Sequence, residues 1–217
     1  RDQPLVDGLN AVDAYAQAMS RIGVRVQGTR SAVDLSSAVS AQSEQTLAGR
    51  TGVPQVWIMN TDGSSREQLT NLPQGACQPD WSPDGTRLVF ISPCPGEQED
   101  YPDARMSVID LASLEITPLP TAGKGDYDPS WSPLGDKILF TSLRGAKPQI
   151  FILTLGEEQA TLLAGEGLKN IHPAWSPTGD QIVFVSTRRG PYQLWTMKPD
   201  GSEQTISSRS GDLKNTS

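Results

Sequence analysis

Three polar residues stand at one fixed place relative to a tryptophan. Gln78, Asp128 and His172 lie three residues before Trp81, Trp131 and Trp175, and each is followed by proline. A carboxamide, a carboxylate and an imidazole at equivalent positions suit contact with a ligand, an ion or a peptide, and equally suit the solvation of a water-filled channel. His172 is the single histidine of the chain. A nucleophilic triad has to be built around it, and no Gly-x-Ser-x-Gly elbow accompanies it. The 25 acidic residues offer many carboxylate pairs for glycosidic chemistry, so number alone singles out none. Asp62, Asp84 and Asp200 occupy turn sequences and need no further role. Glu97, Glu99, Asp100 and Asp103 crowd into one segment, as a hard cation would want, but at no EF-hand spacing; a solvated loop accounts for them. Gly-rich phosphate loops are absent. No catalytic residue, metal or cofactor is therefore expected.

The elements that must carry these residues are read from a repeat. Pro79-Asp80-Trp81-Ser82-Pro83-Asp84-Gly85 returns as Pro129–Gly135 and as Pro173–Gly179 with the pattern Pro-x-Trp-Ser-Pro-x-Gly. Phe90, Phe140 and Phe184 follow their tryptophans by the same interval. Ser-Pro-x-Gly closes a hairpin: proline presets the first corner and glycine enters the left-handed region beyond it. The strand that follows, such as Arg87–Ser92, is apolar at consecutive positions and so is buried on both faces. A third strand recurs as Pro54–Met59, Pro148–Leu153 and Tyr192–Met197, and a fourth follows a turn. Four antiparallel strands repeated at this period are a propeller blade. Trp57, Trp81, Phe90, Trp131, Phe140, Phe151, Trp175, Phe184 and Trp195 are the expected core between blades. Ser107 replaces the aromatic of the third strand in the second blade.

The Trp-Ser-Pro-x-Gly repeat resembles that of TolB-type propellers, a WD-like family of bacterial blades, over residues 42–217. The expected fold is all-β, with about four blades visible and the first and last incomplete. Residues 1–41 are expected to form an N-terminal arm, with a helix over about 4–20 from Leu5, Leu9, Val12, Tyr15 and Met19 and then an irregular linker. The first blade is expected to lack its inner strand. The resemblance implies a non-enzymatic platform that binds a protein partner in the bacterial envelope, periplasmic or extracellular. Two other readings stay open. One is a structural subunit of a secreted or surface assembly, binding neighbouring copies by strand or arm exchange as a homo-oligomer. The other is the propeller of a larger prolyl-oligopeptidase-like enzyme.

Composition narrows the partners. A net charge of −7 without a basic run disfavours nucleic acid. No stretch is long and apolar enough to span a membrane. The two cysteines, Cys77 and Cys94, flank the first complete hairpin, and counting back from its turn sets Cys77 near Ile91. They form either a disulfide closing that hairpin, which points to an oxidising compartment, or two unrelated thiols. The lone histidine lies in another repeat, which argues against a metal pair.

Overall fold

A computed structural model describes residues 25–27, 30–34, 53–60, 64–121, 124–145 and 147–207. The helix expected over 4–20 lies outside them. All the regular elements described are strands, in four antiparallel sheets of four. The first sheet holds β1 (Arg25–Gln27), β2 (Arg30–Asp34), β3 (Val56–Asn60) and β4 (Glu67–Gln68). The second holds β5 (Cys77–Trp81), β6 (Arg87–Ser92), β7 (Arg105–Asp110) and β8 (Ile116–Pro118). The third runs through β9 (Asp126–Trp131), β10 (Lys137–Ser142), β11 (Gln149–Thr154) and β12 (Thr161–Ala164). The fourth runs through β13 (Asn170–Trp175), β14 (Ile182–Ser186), β15 (Gln193–Met197) and β16 (Thr205–Ile206). Each sheet is a meander in chain order, as in a propeller blade.

Two expectations need correction. The blades expected to be incomplete at either end each have four strands. The first is completed from upstream: β2 pairs antiparallel with β3, Val33 opposite Trp57, and β1 pairs with β2. β1 and β2 thus precede residue 42, where the repeat was expected to begin, and they carry no Trp-Ser-Pro-x-Gly turn.

The hairpin turns behave as their residues dictate. Gly85, Gly135 and Gly179 have φ of 71°, 78° and 75°, a conformation glycine enters without steric cost. Ser82 N–H donates to the Arg87 carbonyl at 2.9 Å, and the Ser82 hydroxyl accepts from Arg87 N–H at 2.9 Å. Ser132 with Lys137 and Ser176 with Gln181 repeat both bonds. The turns also touch one another. A Cβ on Gly135 would sit 3.2 Å from the Pro83 ring, and one on Gly179 would sit 3.7 Å from the Pro133 ring.

Strand alternation divides the core into layers between successive sheets. Leu88 and Phe90 of β6 meet Val56 and Ile58 of β3, with Trp81 alongside. Val89 and Ile91 turn the other way, onto Trp131, Ile138 and Phe140 of the third sheet. Leu139, Ile150 and Ile152 then meet Ile182, Phe184 and Trp195 of the fourth. The four residues Leu88–Ile91 are all fully buried, as a strand between two sheets requires.

Of the nine expected core aromatics, Trp81, Phe90, Trp131, Phe140, Phe184 and Trp195 are buried, whereas Trp57, Phe151 and Trp175 are half-buried. Trp57 alternates with Val56 and Ile58 and so lies on the face of β3 turned from the second sheet. Phe151 stacks on Phe140 with centroids 6.0 Å apart, and its other cover is an arginine side chain, Arg144. Trp131 is covered by the Arg87 guanidinium, 5.1 Å above its ring. Lys137 takes the place of Arg87 in the next repeat, and its ammonium lies 3.8 Å from Asp136.

Candidate functional site

The innermost strands β5, β9 and β13 of three successive blades carry Gln78, Asp128 and His172. Each has a left-handed backbone, with φ of 53°, 53° and 52°, and each sits where the strand register slips against its neighbour or the neighbour's register slips against it. A bulge of this kind re-aims a side chain. Non-glycine residues adopt the left-handed region at a steric cost that Asp and His bear better than most. The proline that follows each of them cannot donate to the ladder, which marks the same irregularity.

The three side chains form one lateral row. Gln78 Nε2 donates to Asp128 Oδ1 at 2.9 Å, and Asp128 N–H returns a bond to Gln78 Oε1 at 2.8 Å. Asp128 Oδ2 meets His172 Nδ1 at 2.8 Å. Thr141 of β10 joins the row: its hydroxyl donates to Asp128 Oδ2 at 3.2 Å and accepts from His172 N–H at 3.2 Å. The side chains of His172 and Asp128 are 20% and 11% exposed, so the row is reachable from solvent. Burial pulls the His172 pKa down, but the charge and hydrogen bond of Asp128, with Asp100 behind it, outweigh that and hold it above the ordinary histidine value.

Asp128 and His172 resemble two members of a nucleophilic triad, yet the nearby hydroxyl of Thr141 donates to the carboxylate and not to the imidazole. Among the described residues no group of three His, Cys, Asp or Glu side chains is placed to hold a metal ion. The row offers acceptors, donors and one titratable cation across three blades, a pattern suited to polar recognition.

The cysteines are joined. Cys77 stands opposite Ile91 in the β5–β6 register and forms a disulfide with Cys94, Cα atoms 5.9 Å apart. Sequence reasoning missed what occupies the same place in the next two blades. Arg144 NH2 reaches both oxygens of Asp126, at 3.1 and 3.0 Å, and its Nε donates to Ser142 at 2.9 Å. Its guanidinium lies 4.4 Å over Phe151. Arg188 does the same with Asn170 at 3.2 Å, Ser186 at 3.1 Å and the Trp195 ring at 4.5 Å. The signal was present as Ser142-Leu143-Arg144 and Ser186-Thr187-Arg188, with Asp or Asn five residues before each tryptophan.

The acidic segment after Cys94 is placed differently from a free solvated loop. It crosses from the second blade to the third and fourth. Tyr127 donates to Asp100 at 2.8 Å, Tyr192 donates to Glu99 at 3.2 Å, and Lys169 pairs with Glu99. The hydrogen bond and charge of Lys169 hold the Glu99 pKa below its usual range.

The TolB beta propeller domain family matches residues 32–216. A protein TolB homolog of Chlorobium luteolum is 29% identical over 52% of this chain and 34% of its own length. The Tol-Pal system protein TolB of Rhizorhabdus wittichii is 38% identical over 36% of this chain and 17% of its own. The structure of a TolB-designated protein from Agrobacterium tumefaciens superposes with a TM-score of 0.65 at 22% identity, covering 82% of this chain and 61% of that one. The chain thus spans about a third or less of these curated relatives.

Proposed function

The chain belongs to the TolB beta propeller domain family, and from that premise we propose that it is a non-enzymatic docking platform for a protein partner in the periplasm. The observation that carries this reading is the row Gln78–Asp128–His172. It links three blades, is open to solvent, and is built on bulged backbone that aims each side chain. Polar groups fixed by one another before a partner arrives cost little to order on binding. The Cys77–Cys94 bond supports an oxidising compartment. The name Tol-Pal system protein, borne by relatives, supports an envelope setting.

The experiment is a capture from bacterial envelope extract, identification of the bound protein, and its titration by calorimetry against the wild-type chain and a Gln78→Ala/Asp128→Ala/His172→Ala variant. The variant should keep its urea midpoint within about 1 M and bind at least tenfold more weakly. Equal affinity would discard the row as the docking site. Hydrolysis of peptide substrates by the purified chain would refute the non-enzymatic reading.

A further inference from the structure

Gln55, Gln149 and Gln193 stand at the same place in three blades, each two residues before the aromatic of the third strand, Trp57, Phe151 or Trp195. In the first blade the carboxamide holds the chain that leaves β4. Gln55 Oε1 accepts from the Thr70 hydroxyl at 2.8 Å and from Leu72 N–H at 3.0 Å, and its Nε2 donates to the Leu72 carbonyl at 2.8 Å. The Thr70 hydroxyl also accepts from Val56 N–H at 2.8 Å. In the third blade Gln149 lies against the chain that leaves β12, 2.9 Å from Asn170 Nδ2. Both glutamines are buried. Gln193 differs: its Oε1 is shut off from water and has no hydrogen-bond partner among the described residues. A buried acceptor is rarely left in that state.

The chain reaches Gln193 in the register of the first blade. Trp195 is opposite Ile206 as Trp57 is opposite Gln68. Ser207 N–H donates to the Leu194 carbonyl at 2.9 Å, as Leu69 N–H donates to the Val56 carbonyl at 2.9 Å. Thr70 follows Leu69 and Ser208 follows Ser207, a hydroxyl again. The path beyond is the same at each junction between described blades. Ala76 N–H donates to the Pro54 carbonyl at 2.8 Å, Asp126 N–H to that of Ala104 at 3.2 Å, and Asn170 N–H to that of Pro148 at 2.9 Å. One constant interval separates donor from acceptor, and the acceptor is each time the residue before Gln55, Arg105 or Gln149. In the fourth blade the corresponding acceptor is the Tyr192 carbonyl, and the same interval from it ends at Lys214.

We propose that Gln193 and the Tyr192 carbonyl are the seat of residues 208–214 of the same chain, a segment outside the described residues. The Ser208 hydroxyl donates to Gln193 Oε1 and accepts from Leu194 N–H, and Lys214 N–H donates to the Tyr192 carbonyl. The segment thereby crosses the fourth blade from its outermost strand to its innermost, the route that residues 70–76 take across the first. The seat stands apart from the row Gln78–Asp128–His172, and its test needs no partner.

Two readouts on the whole chain decide it. The first is amide hydrogen exchange: Ser208→Ala should speed exchange at Leu194 about tenfold relative to Val56, whose own hydroxyl partner is untouched. The second is tryptic cleavage after Arg209, normalised to cleavage after exposed Lys124 in the same digest so that a general loss of stability cancels. Gln193→Ala should raise that ratio about fivefold, and Gln149→Ala, the same change one blade earlier, should leave it where it is. An unchanged Leu194 amide in Ser208→Ala overturns the seat, as does an unchanged Arg209 ratio in Gln193→Ala or an equal rise in Gln149→Ala. The ratio should also be independent of chain concentration. Protection of Arg209 that disappears on dilution would mean that a neighbouring copy fills the seat, and it would overturn the proposal for the chain's own segment.

Discussion

Replacing Arg144 by methionine separates a buried ion pair from its packing. Met keeps a long flexible side chain over Phe151 and removes the cation. Asp126, whose side chain is fully buried, then loses both bonds from the guanidinium. Removing one partner of a buried pair costs about 3–5 kcal/mol, because the remaining charge has neither water nor a counter-charge. Asp126→Asn is the informative companion. The fourth blade already has Asn170 beneath Arg188, bonded at 3.2 Å, so the site accommodates a neutral acceptor. Trading a charge-assisted bond for a neutral one should cost only about 1 kcal/mol. Urea denaturation followed by tryptophan fluorescence reads both. At a slope of about 2 kcal/mol per molar, Arg144→Met should lower the midpoint by about 1.5–2.5 M and Asp126→Asn by about 0.5 M, with the slope unchanged. A double variant Arg144→Met/Asp126→Leu should recover part of the loss, since an apolar pair removes the stranded charge. If Arg144→Met costs no more than Asp126→Asn, or the double variant is less stable than Arg144→Met, the pairing does not work as described.

Two further outcomes follow from the same structure. The His172 pKa is raised in the folded chain by Asp128, so its contribution is complete below about pH 6.5, the unfolded value, and is lost as pH rises through the folded value. Urea midpoints should therefore decline over that window, in step with the resonance of the single imidazole, and Asp128→Asn should flatten the decline; a midpoint that rises across it would contradict the sign. Trp131→Ala should cost about 3–5 kcal/mol, and Trp175→Ala clearly less because Trp175 is half-buried where Trp131 is 5% exposed; equal losses in thermal unfolding would mean that burial is not what distinguishes them.

The blades were legible because their physics is local. A Ser-Pro-x-Gly turn and a run such as Leu88–Ile91 declare a hairpin and its two-sided burial within a dozen residues. Even the Cys77–Ile91 register followed from counting back across one turn. The position of Gln78, Asp128 and His172 was legible for the same reason, though their mutual bonds were not: those span blades, and a strand pattern does not state how neighbouring inner strands align. The inner hairpin of the first blade escaped because β1 and β2 are short and carry no signature turn. Their membership is decided by pairing with β3, a long-range fact. Glu99 escaped likewise, since an acidic loop looks solvated until its partner, Lys169, is brought to it by the folding of the strands β7 to β12 that lie between them in the chain.

The seating of Pro83 on Gly135, and of Pro133 on Gly179, gives the turn motif a second use. Within its own hairpin the glycine answers to φ. Between hairpins its missing side chain is the socket for the previous repeat's proline. One short segment therefore carries both halves of a joint, plug and socket, so a tandem duplication brings its own connector, already oriented. The number of blades can then change by copying without any new interface having to be invented at this end of the molecule. A substitution at Gly135 would be registered in the neighbouring repeat as well as in its own.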